Sequence, residues 1–184
     1  MWRKAVWLLA MALGACSFPF NYTLNLLEQG LPGDFLEGTF QVRAGGIDPN
    51  PKTIGPHPVS YTPDSRVSLS GASLEYRVCF TSETPGATFS GSLTYAAYLG
   101  GNEAGFFRQE NLVAQGTKDV AGLTSGGVCV EGQANLSPEQ VQAVASRRFY
   151  VGAQISGDAA SSQEATIRYR AEVFRLHLSG TVRP

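Results

Sequence analysis

Alternation between apolar and polar residues dominates this chain after its first sixteen positions. Phe40, Val42 and Ala44 alternate with Thr39, Gln41 and Arg43, so period two predicts a half-buried strand over 35–44. Arg66–Ser70 offers Val67 and Leu69, and Gly71 interrupts it. Ser73–Thr81 resumes with Leu74, Tyr76, Val78 and Phe80 on one face and Glu75, Arg77 and Cys79 on the other. Phe89–Leu99, a stretch at about 118–123, Gly127–Gly132 and Phe149–Ile155 read as further strands. In Ala165–Val182 the apolar parity changes: Ile167, Tyr169, Ala171 and Val173 are odd, whereas Phe174, Leu176 and Leu178 are even. Such a switch predicts a β-bulge or a strand that crosses between two core faces, with a bulge or sharp twist within 172–175.

Between these runs the chain breaks. Residues 45–64 hold Pro49, Pro51, Pro56, Pro58 and Pro63, which predicts an extended surface loop because proline cannot donate to a ladder. Residues 102–117 read as a polar, glycine-bearing loop with Phe106-Phe107 at its middle. The helix signal lies at Ser137-Pro138-Glu139-Gln140: Ser at N-cap, Pro at N1 and Gln at N3 make a capping box for a short helix near 138–147. Short strands at this spacing predict an all-β fold, a β-sandwich (immunoglobulin-like or jelly-roll-like) of about eight strands. Residues 16–34 read as a tether leading into a first edge strand at Thr23–Leu27, and 35–184 as the sandwich domain.

The beginning of the chain has a different character. Arg3-Lys4 precedes an apolar run, Ala5–Ala15, that is too short to span a bilayer and has the layout of a secretory signal peptide. Its end, Leu13-Gly14-Ala15-Cys16, resembles the lipobox of bacterial lipoproteins, although Leu13-Gly14-Ala15 would also suit an ordinary signal-peptidase cut. The resemblance covers these sixteen residues alone. It implies removal of residues 1–15, a multiply acylated (palmitate-type) anchor on Cys16, and a membrane as partner. Ser17, in place of an aspartate after the cysteine, favours the outer membrane or cell surface. With Cys16 lipidated, Cys79 and Cys129 are left to pair as a disulfide in an oxidising compartment.

Charge narrows the function. The leader holds two of the 14 basic residues and none of the 15 acidic ones, so the chain from Cys16 onward carries net −3. That argues against nucleic acid as a partner and against a polybasic patch gripping anionic lipid. Chemistry is sparse. His57 and His177 lack metal-ligand spacing, no Gly-x-Ser-x-Gly elbow occurs, and Asp48 with Asn50 falls short of a calcium shell. Glu75, Glu131 and Glu172 fall on outward parities. No catalytic residue, metal site or cofactor is expected, and the chain is read as a non-enzyme. Candidate contacts are Phe106 and Phe107 at a loop tip and Tyr98 and Tyr150 on polar strand faces. The expected role is non-catalytic binding or assembly at the bacterial envelope, with a protein or glycan partner. The alternatives are a carbohydrate-binding or adhesin-like module and an envelope hydrolase. The hydrolase would need paired carboxylates, or a histidine beside a nucleophile, in a concave site.

Overall fold

The computed structural model describes residues 17–183. The strands are β1 (Phe18–Asn25), β2 (Glu37–Arg43), β3 (Gly46–Asp48), β4 (Lys52–Ser60), β5 (Val67–Ser82), β6 (Phe89–Ser90), β7 (Ser92–Gly100), β8 (Leu112–Asp119), β9 (Val128–Asn135), β10 (Arg148–Gly157), β11 (Ala160–Ser161) and β12 (Ala165–Val182). Helix α1 is the single turn Gly33–Leu36, and α2 is Pro138–Ala145. One antiparallel sheet runs β3-β2-β12-β5-β9, with β1 also paired to β12; the second runs β4-β10-β7-β8. β6 and β11 form a small separate pair. The fold is an all-β sandwich.

β12 is the frame of the larger sheet. Its first third pairs with β2, its last third with β1, and its other edge with β5 along nearly the whole length. The expected bulge falls at Glu172, where the β12–β5 register shifts between Ala171 and Val173. That extra residue lets Ile167, Tyr169 and Ala171 share the inner face with Phe174, Leu176 and Leu178. β5 behaves the same way. Gly71 does not end the strand; a second register shift leaves Ser70 unpaired and joins the odd-parity Val67 and Leu69 to the even-parity run from Leu74. Facing them across the core are Leu93, Tyr95, Ala97 and Leu99 of β7 and Phe149, Val151, Ala153 and Ile155 of β10, with Tyr76 stacked on Tyr95 at 5.6 Å.

Several expectations need correction. The tether is already strand at Phe18, held by β12. The strand expected at 35–44 starts at Glu37, because Phe35 turns into the core from α1 and packs on Phe174 at 5.0 Å. The proline-rich loop contains β3 and β4. β4 is an edge strand with a glycine bulge: Gly55 has φ 82°, and two residues, Gly55 and Pro56, oppose Gly152 alone. Alternate residues turn their N–H groups to one side, so Pro56 and Pro58 leave their missing donors along the edge away from β10. Strand β8 occupies the second half of the expected 102–117 loop. The stretch 121–124 is a 3₁₀ turn instead of a strand, started by Asp119, whose carboxylate accepts the Ala121 N–H at 2.8 Å. α2 has the expected capping box, with both reciprocal bonds of Ser137 and Gln140 present.

Candidate functional site

Among the described residues, a groove of about 880 Å³ is bounded by β1, β5, β12 and α2. Its lining includes Tyr22, Thr23, Ser73, Val141, Gln142 and His177. The bulge at Glu172 turns His177 outward, and strand pairing sets Thr23 opposite it on β1. The Thr23 hydroxyl lies 3.1 Å from His177 Nδ1, and Glu75 Oε2 lies 2.9 Å from His177 Nε2. Hydroxyl, imidazole and carboxylate thus form one line across β1, β12 and β5. Such a line can pass a proton along itself and offers both donors and acceptors to a ligand. Thr23 was not legible as a site residue, because only the register of a non-local strand pair puts it beside His177.

The four aromatic candidates do not make an exposed tip. Phe106 is 2% exposed. The loop after β7 folds back over the outer face of the smaller sheet and lays Phe106 and Phe107 on Gly152, where a Cβ would meet their rings at 2.8 and 3.1 Å. Phe107 packs edge-on to Phe106 and to Tyr98, each at 5.2 Å. The Tyr98 hydroxyl donates to Gln154, and burial raises its pKa. Tyr150 is half-buried on the same outer face. None of the four lines the large groove. Among the described residues the large exposed apolar side chains are Phe18, at 61%, and Tyr22, at 51%, both on β1.

Cys79 and Cys129 are bonded to each other. They face one another directly across β5 and β9 on the outer side of the larger sheet, as their parity predicts and unlike a bridge through the core. Cys16 lies outside the described residues. Beside the bridge, Arg77 sits between Glu131 and Glu172, with both carboxylates at 3.1 Å, so the two are joined through a cation. Asp48 pairs with Arg43, and Asn50 donates to the Gly157 carbonyl, so each has a structural partner. His57 Nε2 lies 3.4 Å from Asp34 Oδ1, outside hydrogen-bond geometry, with Phe35 at its side. No group of three or more His, Cys, Asp or Glu side chains converges to hold a metal among the described residues.

No helix among the described residues is long and apolar enough to cross a membrane. The chain matches no family model and no curated protein. Among solved structures it is similar to that of infectious bursal disease virus Gx strain, with 12% identity and a TM-score of 0.36 over 90% of this chain. It spans 36% of that chain's length. For a VP2 subviral particle of the same virus the values are 12% identity and TM-score 0.30, over 89% of this chain and 37% of the other. A bacterial lipoprotein from Bacteroides thetaiotaomicron matches with 9% identity and TM-score 0.28, over 90% and 84%. Likeness at this level carries nothing about role.

Proposed function

We propose that this chain is a lipoprotein of a bacterial envelope: exported, cut before Cys16, acylated on that thiol, and acting by binding a partner at the membrane surface. The observation that carries the reading is the cysteine arithmetic. Cys79 and Cys129 are spent on each other, so the one remaining thiol is that of Leu13-Gly14-Ala15-Cys16. A disulfide also suits an oxidising compartment. Ser17 favours the outer membrane as the destination. The partner surface in this reading is the groove beside β1, whose hydroxyl, amide, imidazole and tyrosine groups suit an envelope glycan or polar protein segment. The test is the intact mass of protein extracted from membranes of the native host, with and without reduction. A chain starting at Cys16 with added acyl mass, gaining two protons on reduction, supports the reading. An unlipidated chain starting at Cys16 overturns it in favour of a secreted protein with a spare thiol.

One observation favours a second reading, an envelope hydrolase: the Thr23–His177–Glu75 line, whose Thr23 and His177 border the groove. Here the Thr23 oxygen attacks, and its proton passes to His177. A fluorophosphonate probe separates the two readings, because attack displaces fluoride and leaves the phosphonyl group on Thr23. Labelling that disappears in Thr23→Ala and His177→Ala supports the hydrolase; an unlabelled wild-type chain removes it.

A further inference from the structure

We infer that the end of the sandwich from which β1 starts is a docking surface for anionic phospholipid headgroups, centred on a basic pocket between Arg66, Arg147 and Arg183. What brings a bilayer to this end is the lipid anchor proposed above; the pocket itself stands on the fold.

Three strand ends meet here. Phe18 of β1 pairs with Val182 of β12, which pairs with Val67 of β5, and the Arg183 N–H donates to the Arg66 carbonyl at 3.1 Å. The turn before β5 leads back to β4, whose last residue, Ser60, faces Arg148 at the start of β10. The Tyr61 N–H donates to the Arg147 carbonyl at 3.2 Å. Four arginines from three separate parts of the sequence, Arg66, Arg147 with Arg148, and Arg183, therefore share one end. Between three of them lies a pocket of about 350 Å³ that also takes in Tyr61, Ser65 and Ser68, and no carboxylate lines it. Asp64 braces Arg66 from outside the pocket, with its oxygen 2.7 Å from Nη2. Among the described residues, Arg147, Arg148 and Arg183 have no carboxylate within ion-pair distance. The Tyr61 hydroxyl in the pocket wall is buried without a hydrogen-bond partner. The loop after β7 also lies toward this end and brings Glu103 and Glu110, the latter 3.5 Å from Arg108. At the opposite end Asp48 and Glu164 are paired with Arg43, and Glu83 with Arg168, while Asp119 and Asp158 stand with Lys52 and Lys118.

The plain role for Arg147 and Arg148 is to complement the C-terminal dipole of α2. It does not account for Arg183 or Arg66, which arrive from other elements. It also does not account for Arg147 adopting φ 68° where glycine would fit freely. The net charge of −3 argued against a basic lipid-binding patch, but a sum over the surface is blind to a local cluster such as the one around this pocket. Position supplies the occupant. Two residues from Cys16 to Phe18 span at most about 7 Å, so acyl chains on Cys16 would hold this end against the headgroups. Phe18, 61% exposed at the same end, is the kind of side chain that settles at a membrane interface.

The test uses the exported chain carrying Cys16→Ser, which removes the anchor and leaves the domain, in co-sedimentation with vesicles. Binding is expected to phosphatidylcholine vesicles containing phosphatidylglycerol, to weaken as salt rises, and to be absent with phosphatidylcholine alone. Arg183→Gln and Arg147→Gly, each made in that chain, are expected to lower the affinity about fivefold, the weight of about 1 kcal/mol per cation at an anionic surface. Arg147→Gly is expected to do so without lowering Tm, which separates lost binding from lost folding. Equal binding to both vesicle types, or unchanged affinity in both variants, overturns the proposal. A Tm raised by inorganic phosphate without any vesicle binding also overturns it, in favour of a site for a soluble anion. Because the anchor is absent from these chains, this result stands apart from the mass measurement. An unlipidated native protein that still binds anionic vesicles would sink the anchor and keep the surface.

Discussion

Arg147 follows the C-cap of α2 and is the non-glycine residue with a left-handed backbone among those described. Its N–H reaches the Val144 carbonyl at 3.1 Å, so the geometry closes the helix as glycine usually does. For a residue with a Cβ that conformation costs about 1 kcal/mol. Arg147→Gly is therefore expected to stabilise the domain by roughly that amount, read from the urea midpoint; an unchanged midpoint would show that the backbone is not strained there. Asp64 gives a pH signature nearby. Hydrogen bonds from the Arg66 side chain and backbone hold its carboxyl down at about 2, against an ordinary value of 3.8. A depressed carboxyl stabilises the folded state above its ordinary value, and that contribution is lost as pH falls from 3.8 toward about 2. NMR titration of Asp64 should show this low midpoint in the wild type and a higher one in Arg66→Gln, still below 3.8 because the residue 66 N–H remains.

At the scale of elements, close approach decides where side chains go. The loop after β7 covers the smaller sheet because Gly152 leaves room for Phe106 and Phe107, and because Asn111 ties the loop back by donating to the Phe106 carbonyl at 2.7 Å. Gly152→Ala puts a methyl group into both rings and the Ile54 carbonyl. We expect it to cost about 1–3 kcal/mol and to open residues 101–111 to proteolysis. A stable variant with an uncut loop would mean that the rings do not rest there. β4 follows the same logic: a glycine bulge and prolines confined to its outer edge allow a strand where composition alone reads as loop.

For the whole molecule, the Cys79–Cys129 bridge is the covalent constraint among the described residues. It closes a sequence separation of 50, which the chain-entropy relation values at roughly 4 kcal/mol. Because it lies on the outer face, replacing both cysteines with alanine leaves no cavity in the core. The double variant should lose stability near that figure by urea unfolding. A loss near zero would show that pairing of β5 with β9 survives in the unfolded chain.

Much of the architecture was legible because side-chain alternation is local. Period two marked β2, β5, β7, β10 and β12, the phase switch marked the bulge at Glu172, and Ser137 with Gln140 marked the start of α2. The expectation of an export signal rests on an equally local pattern, a run of charge, apolar residues and a small-residue end, which lies outside the described residues. Strand partners were not legible, because pairing joins residues as far apart as Phe18 and Val182 and one residue of register reverses every face. Only the tertiary structure brought Thr23 and Glu75 to His177, folded Phe106 away from solvent, and gathered Arg66, Arg147, Arg148 and Arg183 at one end of a chain whose summed charge is negative. Local periodicity says which residues face inward; the non-local ladder decides which of the outward ones meet.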